Sequence, residues 1–367
     1  MLYRISVICF LIFAFTAKQS SAQHLRPYFN AAEYEQMLAI IDRSGDSPWP
    51  KAITPYPENC RMVYRSPEVG MKNRWDLWLR NDDVAIVHIR GTNGTTESWM
   101  ENFYAGMIPA TGHFQLNDSI RFDYKLSADP QAYVHAGWMI GLASLGPDIA
   151  EKIKDYYRKG IHEFIIMGHS QGGVIAFLVR SYLAYREDIP KDIVFKTISS
   201  GAPKPGNLNY AYDYDYITRN GWGLRVVNAR DWVPETPFSV QTTRDFTAVN
   251  PFVNIKSALR EQKWAARMAL SYMYGRLDRP GKRTSRRMQR VLGKMLSKRV
   301  GKVIPGYQPP TFVQSHNYAT AGIPVILYPV NGYDEKIPFD GKNIFTHHMM
   351  KPYLWLTQQI YCNTVNP

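Results

Sequence analysis

Cysteine is scarce in this 367-residue chain, which holds only Cys9, Cys60 and Cys362. No Cys/His cluster has the spacing of a metal site, so nothing in the composition asks for zinc or a comparable ion. Internal repeats and low-complexity tracts are absent. Beyond the first two dozen residues there is no apolar run long enough to cross a membrane. Acidic residues are missing from one place in particular: residues 256–302 hold fifteen Lys/Arg against two acids, Glu261 and Asp278. That stretch alone carries +13, which is the formal net charge of the whole chain, so the remainder is neutral. The basic character belongs to one segment and says little about the rest of the protein.

Residues 1–22 contain Arg4, an apolar core over 5–15, and then Lys18-Gln19-Ser20-Ser21-Ala22. The core is too short for a stable span and ends in small residues. It reads as a secretory signal peptide with cleavage after Ala22, and the expected localisation is export. Cys9 lies inside the apolar core, which argues against a lipidated mature end. A mature chain of about 345 residues suffices for one large α/β domain with an insertion. In an oxidising compartment Cys60 and Cys362 either form a disulfide that ties the ends together or remain two free thiols.

Along the chain, residues 31–43 show the spacing of an amphipathic helix, with Tyr34, Met37, Leu38 and Ile41 on one side. Trp75, Leu77 and Leu79 alternate with polar residues, Asn81-Asp82-Asp83 makes a turn, and residues 84–89 form an apolar run interrupted only by His88. This is a β-hairpin that ends in a buried strand. Residues 93–130 are long and mixed, a lid-like segment with a short helix over 95–104. A helix follows to residue 158, expected to break near Gly146-Pro147. Short strands over 193–199, 224–228 and 323–330 alternate with helical stretches. The pattern predicts an α/β fold with a mainly parallel sheet covered on both faces.

The chemistry is written in Gly168-His169-Ser170-Gln171-Gly172. Phe164, Ile165 and Ile166 form a strand-like run before it, and Val174, Phe177 and Leu178 follow helical spacing after it. A serine held at a sharp strand-turn-helix junction, in reach of a base, is the usual route to an activated hydroxyl. Such a nucleophile needs an acid and then a histidine later in the chain, each after a strand. Asp231 follows the strand 224–228; Asp213 and Asp215 are weaker alternatives in Tyr-rich polar sequence. After the last strand the chain reaches His347-His348, and either imidazole could take the serine proton. Oxyanion donors are expected from Gln171, directly after the nucleophile, and from Thr92, just beyond the strand 84–89.

These pieces resemble the class 3 lipase family, the fungal-type triacylglycerol lipases and their relatives. The resemblance rests on Ile89-Arg90-Gly91-Thr92, Val134-His135-Ala136-Gly137-Trp138, the Ser170 elbow, Ser200-Gly201-Ala202-Pro203-Lys204-Pro205-Gly206-Asn207, the run from Val226 to Pro234, and a histidine before Tyr353-Leu354. It covers residues 75–360. It implies an α/β-hydrolase fold with Ser170 as nucleophile, Asp231 as acid, and Thr92 in the oxyanion hole. The position of the histidine ahead of Tyr353-Leu354 implies His348 as base, leaving His347 as the alternative. It also implies that 95–104, with Trp99, Met100, Phe103 and Tyr104, corresponds to a lid helix.

The departure from the family is an insertion over 240–310 that contains the basic stretch. Lys256, Arg260, Lys263 and Arg267 fall on one helical face, Asp278-Arg279-Pro280-Gly281 suggests a turn, and Met288, Val291, Leu292 and Met295 oppose a basic face beyond it. The expectation is a basic helical hairpin. It would cap the substrate cleft or make transient contact with an anionic membrane or polyanion through residues 256–302; no nucleic-acid partner is expected of an exported chain. The function expected is serine hydrolysis of lipid carboxylic esters, with no metal or organic cofactor. Alternatives are a phospholipase A1, a short-chain esterase, or a non-catalytic lipid- or polyanion-binding protein on a hydrolase scaffold.

Overall fold

The computed structural model describes residues 23–253, 255, 259–260 and 262–362. Residues 1–22, where a signal peptide is expected, and Lys256 lie outside the described residues. Helix α1 (Ala31–Ile41) starts at Asn30, whose side chain accepts the Glu33 N–H, and it buries Tyr34, Met37, Leu38 and Ile41 as the helical spacing anticipates. Strands β1 (Cys60–Arg65), β2 (Trp75–Arg80) and β3 (Val84–Ile89) form an antiparallel meander. Helix α2 (Thr96–Phe103), β4 (Met107–Pro109), and the hairpin of β5 (Thr111–Gln115) and β6 (Arg121–Lys125) occupy residues 93–130, the stretch expected to be lid-like. Then come β7 (Tyr133–His135), α3 (Ala136–Arg158), β8 (Glu163–His169), α4 (Gln171–Ala184), β9 (Val194–Ser200), β10 (Gly206–Asn207), α5 (Leu208–Ile217) and β11 (Gly223–Asn228). Beyond the insertion lie β12 (Tyr318–Ala319), β13 (Ile323–Leu327) and a C-terminal helix, Met350–Thr357.

The main sheet has seven strands in the order β1-β2-β3-β8-β9-β11-β13, and every pairing from β3 onward is parallel. β3 and β8 are buried on both faces because both sets of their alternating side chains are mostly apolar. Val87, Ile89, Phe164 and Ile166 pack under α3 and α4. Ile86, Ile165 and Met167 pack on the opposite side under α1 and the C-terminal helix. This is the fold of an α/β-hydrolase. In register, Ile89 lies opposite Gly168, and His169 opposite Ser200. The carboxyl ends of β3, β8 and β9 therefore stop level with one another, and the loops that leave them converge.

Two expectations are corrected. Helix α3 does not break near Gly146-Pro147; it runs through 23 residues with Pro147 inside. Pro147 faces solvent while Leu142, Leu145, Ile149 and Ile153 stay buried, and packing on both sides offsets the missing hydrogen bond. The inserted basic segment is not a hairpin. Trp264–Met288, a π-type stretch Gln289–Met295 and Leu296–Val303 follow one another without a turn, making a single long helix over 264–303. Asp278 bridges Pro280 by pairing with Lys282 at 2.6 Å and accepting a hydrogen bond from Thr243 at 3.0 Å, so the expected turn stays helical. Of the first-half face, Arg260 and Lys263 precede the helix rather than lie within it. Of the two alternatives left open for the cysteines, Cys60 and Cys362 are free thiols, one buried and one exposed.

Candidate active site

Ser170 sits between β8 and α4 with φ 58° and ψ −127°, a conformation that non-glycine residues adopt at some energetic cost. The surroundings hold it there. Ser170 N–H donates to the Ser200 carbonyl at 2.9 Å, and Val174 N–H donates to the Ser170 carbonyl at 3.1 Å. A Cβ at position 172 would lie 2.1 Å from the Ile89 carbonyl oxygen, and one at position 168 would lie 2.4 Å from the Gly172 carbonyl carbon. Only glycine permits this approach of helix to strand, so the two glycines of the motif are dictated by backbone packing. The first turn of α4 directs its unpaired N–H groups toward the same end of the sheet.

Asp231 follows β11 and is 3 % exposed. Its Oδ1 accepts the Val233 N–H at 2.9 Å, and its Oδ2 accepts from Nδ1 of His348 at 2.6 Å and from the Tyr353 hydroxyl at 2.7 Å. Because an ionised carboxylate only accepts, the proton of the imidazole lies on Nδ1 and leaves Nε2 as a free acceptor. His347 is turned elsewhere: its Nδ1 meets the Tyr333 hydroxyl at 2.9 Å, and partial burial and nearby Arg230 lower its pKa. The structure thus brings His348, not His347, to Asp231. Asp213 and Asp215 lie apart from this cluster, accepting from Tyr185 and from the Gly322 N–H respectively.

His169 supports the same loop from below. Its Nε2 lies 2.7 Å from the His348 carbonyl oxygen, which requires the proton on Nε2, so Nδ1 accepts from the Ser200 hydroxyl at 3.0 Å. Tyr34 meets Ser200 at 2.6 Å. Burial, reinforced by the neighbouring His348, holds the His169 pKa well below its ordinary value, so this imidazole is neutral. Tyr34, His169, Ser200 and Tyr353 were not among the sequence candidates. For His169 and Tyr353 a signal existed, since one adjoins Ser170 and the other stands five residues after His348.

Thr92 and Gln171 meet side by side. The Thr92 hydroxyl donates to Gln171 Oε1 at 3.1 Å, as does Ser98 Oγ, while Asn102 Nδ2 donates to Thr92 Oγ1 at 2.9 Å. In this arrangement the Thr92 hydroxyl proton is directed at Gln171, not at the cavity. Helix α2 is fastened to the site by these contacts and by Glu101, which is fully buried and accepts from Asn73 at 2.7 Å. With no cation beside it, burial pushes the Glu101 carboxyl up to about 8, against the opposing amides of Asn73 and Gln171.

Ser170, Thr92 and His348 line one cavity of about 720 Å³, walled by aromatic and aliphatic side chains that include Trp99, Phe103 and Leu292. Among the described residues no hydrogen bond joins Ser170 Oγ to His348. Of the expected lid face, Trp99 and Phe103 stack over the cavity, whereas Tyr104 is buried and bonded to Tyr307 at 2.8 Å. The cavity suits a long apolar ligand with a small polar group near Ser170.

The sheet order and the serine elbow define an α/β-hydrolase. Residues 86–241, from β3 to the loop beyond β11, match the family described as lipase (class 3). Similar solved structures include the lipase–propeptide complex of Rhizomucor miehei, with 16 % identity over 58 % of this chain and 65 % of that one, TM-score 0.43. They also include the Lip2 lipase of Yarrowia lipolytica (18 %, 58 % and 76 %, TM-score 0.42) and a triacylglycerol lipase of Penicillium expansum (16 %, 57 % and 75 %, TM-score 0.43). The chain spans just under two thirds of the Rhizomucor protein. No curated protein matches.

Proposed function

We propose that this protein is an exported serine carboxylic-ester hydrolase acting on lipid esters, in the manner of a triacylglycerol lipase. The observation that supports it most is the pairing of His348 with Asp231 at the edge of the apolar cavity that Ser170 also lines. In this reading Ser170 Oγ attacks the ester carbonyl carbon while His348 Nε2 takes its proton. The tetrahedral oxyanion is held by the backbone N–H groups of Thr92 and Gln171. His348 returns the proton to the leaving alcohol, and water then releases the acyl group by the same steps in reverse roles. Asp231 fixes the tautomer and stabilises the imidazolium. Residues 93–130 serve as the lid-like segment, and the basic stretch supplies a transient contact with an anionic surface.

Labelling with a fluorophosphonate probe tests the nucleophile: Ser170 should be modified, and Ser170→Ala should lose the label. A chain that stays unlabelled while folded would be a binder rather than an enzyme. Turnover of p-nitrophenyl esters of increasing chain length, triglyceride emulsions and phospholipid vesicles tests the substrate class. Activity confined to short monomeric esters would remove the lipid-ester reading in favour of a short-chain esterase.

A further inference from the structure

The long helix over 264–303 is buried on one side only where it crosses the hydrolase body. Ser285, Gln289, Gly293, Ser297 and Val300 face inward at helical spacing, and Leu292 on the same stretch lines the cavity that holds Ser170. Arg286, Arg287, Arg290, Lys294, Lys298 and Lys302 all face solvent. Residues 263–302 carry thirteen Lys/Arg against Asp278 alone. Among the described residues the only ion pair on this helix is Lys282–Asp278, so the outward cations are uncompensated.

Toward its start the helix leaves the body. Every residue from Lys263 to Met273 is exposed, including Trp264 at 70 %, Met268 at 64 % and Tyr272 at 69 %, spaced four apart on one side. Leu277, at 78 %, continues the exposed apolar surface. Large apolar side chains left in water on a helix whose other end presents a row of cations are unfavourable for a freely solvated helix and suit the interface of a bilayer. At the mouth of the cavity, Phe103, Phe238 and Met349 are likewise exposed.

We propose that the 264–303 helix docks the protein on an anionic lipid bilayer, with Trp264, Met268 and Tyr272 entering the headgroup region and the outward Arg/Lys row pairing with lipid phosphates. A bilayer is favoured over a soluble polyanion by the apolar half of this surface, which a polyanion would leave in water. Since Leu292 of the same helix walls the cavity, docking fixes the height of the cavity mouth above the lipid. The assignment rests on the lipid-ester reading only in making this contact useful for substrate capture.

The test is cosedimentation of the full chain with vesicles of phosphatidylglycerol and phosphatidylcholine, or phosphatidylcholine alone, at about 0.1 and about 0.5 M salt. Binding to the anionic vesicles should exceed that to neutral ones by at least about tenfold and fall by a similar factor at the higher salt. Combined Arg286→Glu, Arg290→Glu and Lys294→Glu should weaken it by about tenfold or more, and combined Trp264→Ser and Met268→Ser should also weaken it. Circular dichroism and turnover of a soluble short-chain ester should be unchanged in both variants, which separates lost docking from lost folding. Equal binding to neutral vesicles, unaltered binding of the charge variant, or retention on immobilised heparin without vesicle binding would each overturn the proposal. Vesicle binding without ester turnover would sustain docking and refute only the hydrolase reading.

Discussion

Tyr353 and His348 share a single oxygen of Asp231, the hydroxyl at 2.7 Å and the imidazole Nδ1 at 2.6 Å. Six residues of one loop and helix start thus supply both donors, so the orientation of the histidine and the solvation of the carboxylate are set together. Tyr353→Phe removes one donor and leaves more negative charge on Oδ2 for the imidazolium. We expect kcat/KM on a soluble ester to fall by roughly tenfold, with the acidic limb of the pH profile moving upward while the melting temperature changes little. A profile identical to the parent would mean that the hydroxyl has no part in tuning the pair.

The two adjacent histidines should behave differently. His348→Ala is expected to lower kcat by roughly a thousandfold or more, whereas His347→Ala, which loses the contact with Tyr333, should keep activity within about tenfold. Comparable losses in both variants on a soluble ester would contradict the assignment of the base.

Glu101 offers a test on stability. A free glutamate titrates near 4.3, and the buried Glu101 carboxyl near 8. The folded state therefore keeps a proton that the unfolded chain releases, and this stabilising contribution is complete below the unfolded pKa and lost as the pH rises through about 8. Glu101→Gln keeps the shape without the charge. Thermal unfolding from pH 5 to 8.5 should show the parent losing stability relative to this variant, by on the order of a few kcal/mol at the alkaline end. Parallel curves across that range would show that the carboxyl is not held neutral.

The thiols should separate cleanly. Cys362 is exposed, while burial pushes the Cys60 thiol up to about 11. A thiol reagent at pH 8 should modify Cys362 in the native protein and Cys60 only after denaturant is added. Modification of both in the folded chain would contradict the burial of Cys60, and modification of neither before reduction would contradict the free-thiol arrangement.

Much of the frame was legible because it depends on local pattern. Residues 84–89 form β3 at the bounds expected, because a run of six residues that is apolar but for His88, set between polar turns, has one stable destination, the middle of a sheet. The short strand ending at Asn228 and the helix beginning at Ala31 were readable for similar reasons. The insertion was not. Asp278-Arg279-Pro280-Gly281 has the composition of a turn, and its helical state depends on Lys282 and on Thr243, the latter 35 residues earlier in the chain.

The candidate site divides along the same line. Sequence by itself determined that Ser170 stands at a strand-to-helix turn between two glycines, since backbone crowding at such a turn excludes any side chain there. It also determined which residues carry the positive charge. Only the tertiary structure decided which of two adjacent histidines meets Asp231, that His169 and Tyr353 brace the pair, and that a basic helix forms one wall of the cavity. Those outcomes depend on contacts between residues as much as 179 positions apart, and side-chain direction at such distances is set by packing rather than by local sequence.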